Sequence, residues 1–188
     1  MKRYIALLRG VNISGKNKVP MAELKKCFEA LGFMEVKTWL NSGNVVFSCD
    51  EADTAVLTDK IERMIQREFG LNIPVFVIAQ EKLAGILRHA PDWWGTENKE
   101  IYDNLIFIMP PAAFTDVYRE IGAPKEGLEQ IQEYRSAVFW SFSKKGLSEN
   151  ELVGQDGPCG YWLEADDKDG EYRQENRQYV REYCRHVR

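Results

Sequence analysis

Val36-Lys37-Thr38-Trp39-Leu40-Asn41-Ser42-Gly43-Asn44-Val45-Val46-Phe47-Ser48 is the stretch on which the fold turns. Val36 to Leu40 and Val45 to Ser48 alternate apolar and polar residues, the period of strands with one face in a core. Between them, Asn41-Ser42-Gly43-Asn44 supplies Gly and Asn, which accept the positive φ of a tight turn. The stretch predicts a β-hairpin. Upstream, Tyr4 to Leu8 reads as a buried strand. Met21 to Leu31 then carries apolar residues at 21, 24, 27, 28 and 31, a helical stripe closed by Gly32. Downstream, Thr54 to Phe69 places Leu57, Ile61, Met64, Ile65 and Phe69 on one face before Gly70, and Val75 to Ile78 follows Pro74 as a strand. Residues 1–79 therefore run β-α-β-β-α-β, the ferredoxin-like order.

The second half begins to repeat the first. Gln80 to His89 reads as a short helix, Leu105 to Met109 as a strand, Ala112 to Ile121 as a helix opened by Pro110-Pro111, and Glu129 to Tyr134 with Ala137 to Phe142 as two strands. The repeat is one of element order, with no residue identity at a fixed period. The expected class is α+β, with two ferredoxin-like halves built on antiparallel sheets at 1–79 and 80–147. The second half is incomplete at its C-terminus, and an atypical tail follows at 148–188.

Composition bounds the function. The chain of 188 residues is 44% hydrophobic and 29% charged with a net charge of -4, values of an ordinary globular protein. That charge does not support nucleic acid as a partner. No segment approaches the roughly 20 apolar residues of a membrane span, so no membrane association is expected. Cys27, Cys49, Cys159 and Cys184 lack any C-x-x-C spacing, and only His89 and His186 could join them, so no metal and no cofactor is expected. Reduced thiols imply a cytoplasmic protein. The acidity is local: residues 1–147 hold 19 basic and 19 acidic side chains, and 148–188 hold 6 and 10. Ile, Leu, Val and Met fall at the same place, from 39 of the first 147 residues to 5 of the last 41.

Chemistry concentrates in Arg9-Gly10-Val11-Asn12-Ile13-Ser14-Gly15-Lys16-Asn17-Lys18-Val19-Pro20. This loop joins a strand to a helix N-terminus, and no acid precedes Glu23. Backbone N–H groups, a helix dipole and cations together favour an anion. The spacing matches neither G-x-x-x-x-G-K-[ST] nor G-x-G-x-x-G, so ordinary turn chemistry stands beside a phosphate or carboxylate site. The candidate ligand-binding residues are Arg9, Lys16 and Lys18 for charge, with Asn12, Asn41, Ser42 and Asn44 for orientation if the hairpin turn lies near the loop.

Other residues carry alternative readings. Trp93-Trp94 either stacks a base or plugs packing between halves, His89 caps a helix or acts as a base, and Cys27 is a core or a reactive thiol. Lys144-Lys145 is a solvated strand end or an anion contact. No nucleophile or base can be named, so the catalytic residues are unknown and enzymatic activity is left open.

Three motifs stand in order: Ile5-Ala6-Leu7-Leu8-Arg9-Gly10-Val11-Asn12, Gly15-Lys16-Asn17-Lys18-Val19-Pro20-Met21 and Asn41-Ser42-Gly43-Asn44-Val45-Val46-Phe47. Together with Pro91-Asp92-Trp93-Trp94-Gly95 and Trp140-Ser141-Phe142 they resemble the domain of unknown function 1697 family over about residues 1–147. The resemblance implies two ferredoxin-like halves in a cytoplasmic, mostly bacterial protein, and it implies no reaction. Members usually end in something like M-T-x-R-x-x-N-T-V-x-K-I, and no such string stands here. Read one base later, the codons for Asp166 to Arg177 allow those residue types in that order. The tail is therefore expected to be out of frame from between Gly146 and Val153. The alternative is a divergent C-terminus with a polar helix at Tyr172 to Val187.

The function expected from these residues is binding of a phosphorylated or carboxylated small molecule by the loop at 9–20 and the turn at 41–44. A nucleic-acid-binding module and an enzyme acting on a phosphorylated substrate are the alternatives. Fold analogy is weak support for the former, because Tyr4 stands alone as a stacking aromatic on the first strand.

Overall fold

The computed structural model describes residues 1–12, 15–39, 43–96, 98, 100–108, 113–121, 123–143 and 161–162. They divide into two compact units, Met1–Gly85 and Ile86–Arg188.

The first unit contains β1 (Lys2–Leu8), α1 (Met21–Ala30), β2 (Met34–Trp39), β3 (Asn44–Cys49), α2 (Thr54–Phe69) and β4 (Val75–Ala79). Its sheet has the order β2-β3-β1-β4, and every neighbouring pair is antiparallel. Helix α2 shows how the sequence specifies this. Leu57, Ile61, Met64 and Ile65 fall on one stripe and are all buried. The Asp53 carboxylate accepts from the Ala55 N–H at 2.8 Å, and Gly70 closes the helix at φ 68°. Those side chains meet Tyr4, Ala6, Leu8, Val45, Phe47, Val75 and Val77 in one core. Burying each aliphatic or aromatic side chain contributes about 1.5–3 kcal/mol.

Strand β2 begins two residues before Val36, because its register shifts between Met34 and Lys37 and Glu35 takes φ 51°. This bulge hides the alternation at the strand's start.

Helix α3 (Gln80–Leu87) spans the division between the units. The second unit continues with β5 (Ile101–Phe107), α4 (Phe114–Ile121), β6 (Glu129–Tyr134), β7 (Ala137–Ser143) and a two-residue β8 (Tyr161–Trp162). Its sheet, again antiparallel, has the order β6-β7-β5-β8. Strand β5 lies earlier than the apolar run Leu105 to Met109 suggests. Asp103 masks its first half as polar, but the Asp103 carboxylate is satisfied by the Ser141 hydroxyl and by the Gly95 N–H at 3.0 Å. Helix α4 starts at Phe114, with the Asp116 carboxylate accepting from the Ala113 N–H at 2.9 Å. The Pro110-Pro111 start expected for it lies outside the described residues.

One strand pair corresponds between the two sheets, β1–β3 in the first and β5–β7 in the second, where the sequence shows no fixed period. Leu7 pairs with Asn44 as Phe107 pairs with Ala137, and Arg3 with Ser48 as Asp103 with Ser141. The Leu8 N–H donates to the Gly43 carbonyl at 3.1 Å, and the Ile108 N–H donates to that of Ser136 at 2.8 Å. The offset falls between first strand and hairpin as the connection at 9–20 is longer than the stretch 109–113.

Candidate anion site

Loop 9–20 is closed by its own asparagines. The Asn12 carboxamide bridges Val19, its Oδ1 accepting from the Val19 N–H at 2.8 Å and its Nδ2 donating to the Val19 carbonyl at 3.0 Å. The Asn12 N–H reaches the Asn17 carbonyl at 3.1 Å, and Asn17 Nδ2 reaches the Gly10 carbonyl at 2.9 Å. Asn12 and Asn17 hold φ 57° and 47°, a conformation Asn tolerates better than most residues. Val11 and Val19 anchor the loop in the core. Asn12 thus builds the loop. Asn17, absent from the sequence-based candidates, shares that task, and its signal was its place in a run of Gly and Asn.

Lys16 and Lys18 are exposed and make no ion pair among the described residues. Arg9 is half-buried, and its backbone N–H donates to the Pro74 carbonyl at 3.0 Å. The loop feeds α1, whose N-cap is Pro20 with no side-chain cap. Helix α2 has Asp53 at that position, and the Asp116 carboxylate of α4 turns back to the Ala113 N–H. The dipole end of α1 therefore has no cap from its N-cap side chain.

Gly43, at the end of the hairpin turn, lies against Leu8 and Val11. Gly43 sits at φ 75°, and a Cβ placed there would stand 2.5 Å from Val11 Cγ2 and 2.9 Å from Leu8 Cβ. Asn44 is buried at 4% exposure, opposite Leu7 and Trp39. Asn41 and Ser42 lie outside the described residues, as do Lys144-Lys145 and the tail apart from β8. Of the seven expected residues, then, the structure gathers Arg9, Asn12, Lys16 and Lys18 in one loop and sets Asn44 at the end of the adjoining hairpin.

The remaining candidates have local partners. Tyr4 is packed in the core at 5.7 Å from the Phe47 ring, with its hydroxyl donating to the Glu51 carbonyl at 2.8 Å, so it offers no stacking platform. Trp94 meets Phe139 edge-on at 5.2 Å, and its Nε1 donates to the Asn104 carbonyl at 2.9 Å. His89 stacks on Tyr134 at 4.3 Å, and its backbone N–H donates to the Ile86 carbonyl just past α3. Burial pushes up the thiols of Cys27 and Cys49, aided at Cys27 by Glu68 and Glu23 and opposed at Cys49 by a hydrogen bond to Glu51. Neither thiol is activated as a nucleophile. Among the described residues, no group of three His, Cys, Asp or Glu side chains could hold a metal ion, and no helix is long and apolar enough to cross a membrane.

These features define an α+β protein of two antiparallel sheets with a basic loop on the first. The chain belongs to the DUF1697 family, proteins of unknown function, whose family pattern matches residues 1–139. Among solved structures it is similar to a conserved bacterial protein from Streptococcus pneumoniae, at 27% identity and a TM-score of 0.65 over 77% of this chain and 79% of that one. No protein of curated function matches the chain.

Proposed function

We propose that the loop at 9–20 and the turn at 41–44 bind a phosphorylated or carboxylated small molecule. The observation that supports this reading is the loop itself: Arg9, Lys16 and Lys18 share the connection that leads from β1 to α1, whose N-cap Pro20 supplies no side-chain cap. Exposed cations contribute about 0–1 kcal/mol each, so several must converge on one ligand with N–H donors. A dianion meets that condition better than a single charge. The strand order of the first sheet supports reading residues 1–79 as a ferredoxin-like half, with 80–147 as its partner and 148–188 as a tail outside the family's pattern. The thiols of Cys27 and Cys49, both free, fit a cytoplasmic setting.

The test is thermal unfolding in phosphate and in sulfate. Wild-type protein gains stability with ligand concentration, by about 2.7 kcal/mol at a hundred times Kd. Substituting Arg9→Ala with Lys16→Ala abolishes that gain, read against the variant's own unliganded melting temperature. Stabilisation that persists in the double variant overturns the site.

A further inference from the structure

Strand β2 is one outer strand of the first sheet, and among the described residues no strand pairs with its far side. An outer strand presents a row of unpaired N–H and C=O groups, a template on which another chain can add a strand. The two outer strands of this sheet differ. No residue of β4 is exposed, and the Val75 N–H at its start donates to the Glu62 carboxylate of α2 at 2.8 Å. Met34, Glu35 and Lys37 of β2 are all exposed, Met34 at 54%. Strand β2 is therefore the more accessible edge.

That edge is broken by one surplus residue. Met34 and Lys37 are three steps apart on β2, while their partners Ser48 and Val46 are two steps apart on β3. The surplus is taken up around Glu35, which holds φ 51°, a left-handed conformation that residues with a Cβ seldom adopt. The Glu35 carboxylate turns back to accept from the buried Ser48 hydroxyl at 2.7 Å, which pins the bulge to β3. A bulge bends and twists its strand and sets the outer groups out of line with those of an incoming strand. Without the extra residue Val36 would stand opposite Phe47, and both already belong to the same core. The inner face accepts a regular ladder, so the bulge serves the edge.

We infer that the Glu35 bulge closes the β2 edge against a second copy of this chain, whose own β2 would otherwise add antiparallel across a two-fold axis. A second copy is the partner because it brings the same six-residue strand with the same unpaired groups, and one two-fold contact pairs both edges at once.

Sedimentation velocity of the full chain over a range of concentrations tests this, with circular dichroism reporting the fold. Deleting Glu35 removes the surplus residue, and Glu35→Val places a β-branched side chain where φ is positive, which drives the strand towards a regular ladder. Both variants are expected to double in mass with rising concentration, over a range in which the wild-type mass is constant. Glu35→Gly keeps the bulge, since Gly accepts its φ, and is expected to sediment as wild type. A folded deletion variant that sediments as wild type overturns the inference, and where the deletion does not fold the valine variant decides in the same way. A glycine variant that associates as they do also overturns it, since the carboxylate rather than the bulge would then be the guard. Loss of fold in both the deletion and the valine variant overturns it as well, because the bulge would then serve the fold itself.

Discussion

Gly43 and Leu8 approach so closely that the Leu8 N–H donates to the Gly43 carbonyl at 3.1 Å and a Cβ on Gly43 would fall 2.9 Å from Leu8 Cβ. The hydrogen bond alone does not require glycine, since Ser136 makes the matching bond to Ile108 in the second unit. The left-handed φ of 75° and the contact with Val11 Cγ2 do. Gly43→Ala is therefore predicted to destabilise the protein by about 2–4 kcal/mol, the sum of backbone strain and overpacking. Urea unfolding measures this, and a loss below about 0.5 kcal/mol would show that the close approach is not maintained.

Raising the pH should weaken the first unit. Burial is the main cause that raises the pKa of Tyr4, Cys27 and Cys49, and Cys49 and Glu51 add to it at Tyr4. Each group holds its proton more tightly folded than unfolded. The contribution is therefore complete below the unfolded values, near 9.0 for the thiols and 10.0 for Tyr4, and is lost as pH climbs through the folded ones. Denaturation midpoints measured from pH 7 to 11 should fall above about pH 9, and Cys49→Ala should soften the decline. Midpoints flat to pH 11 would contradict the burial of these groups.

Asp103 should hold the Pro91 to Gly95 loop onto the second sheet. It accepts from the buried Ser141 hydroxyl and the Gly95 N–H, next to Trp94 on Phe139. Asp103→Ala leaves a buried hydroxyl without this acceptor and a loop N–H without its anchor, a change predicted to cost about 1–3 kcal/mol. Trp94 emission should shift to longer wavelength as its ring gains water, measured against a Trp94→Phe control. An unchanged spectrum and midpoint would show that the loop is held by Trp94 alone.

Much of this fold was legible in apolar spacing. Helix α2 begins and ends where Asp53, its buried stripe and Gly70 place it, because cap and periodicity agree there. Strands β2 and β5 begin earlier than their apolar pattern shows, one for the Glu35 bulge and the other for a carboxylate whose partner Ser141 lies far along the chain. The basic loop was legible as charge between a strand and a helix. Its internal closure was not, because an asparagine that ligates and one that bridges Val19 read alike until the chain is folded.

The tail gives the last prediction. In the first unit, residues 50–74 carry α2 across the sheet before β4, which pairs with β1 from Tyr4 to Leu8. In the second, the shorter stretch 144–160 precedes β8, which pairs with β5 at Phe107↔Tyr161 and Ile106↔Trp162. That stretch includes Gly154-Gln155-Asp156-Gly157-Pro158-Cys159-Gly160, a poor helix former. The family pattern stops at residue 139, just before the aliphatic content collapses. The proposal that the frame slips between Gly146 and Val153 predicts a one-base difference there on resequencing. It also predicts that a chain with the frame restored unfolds at higher urea concentration with a larger m value, because more surface is then buried. An unambiguous frame through Asp166 to Arg177, shared by close relatives, would end the proposal and establish a divergent C-terminus in its place.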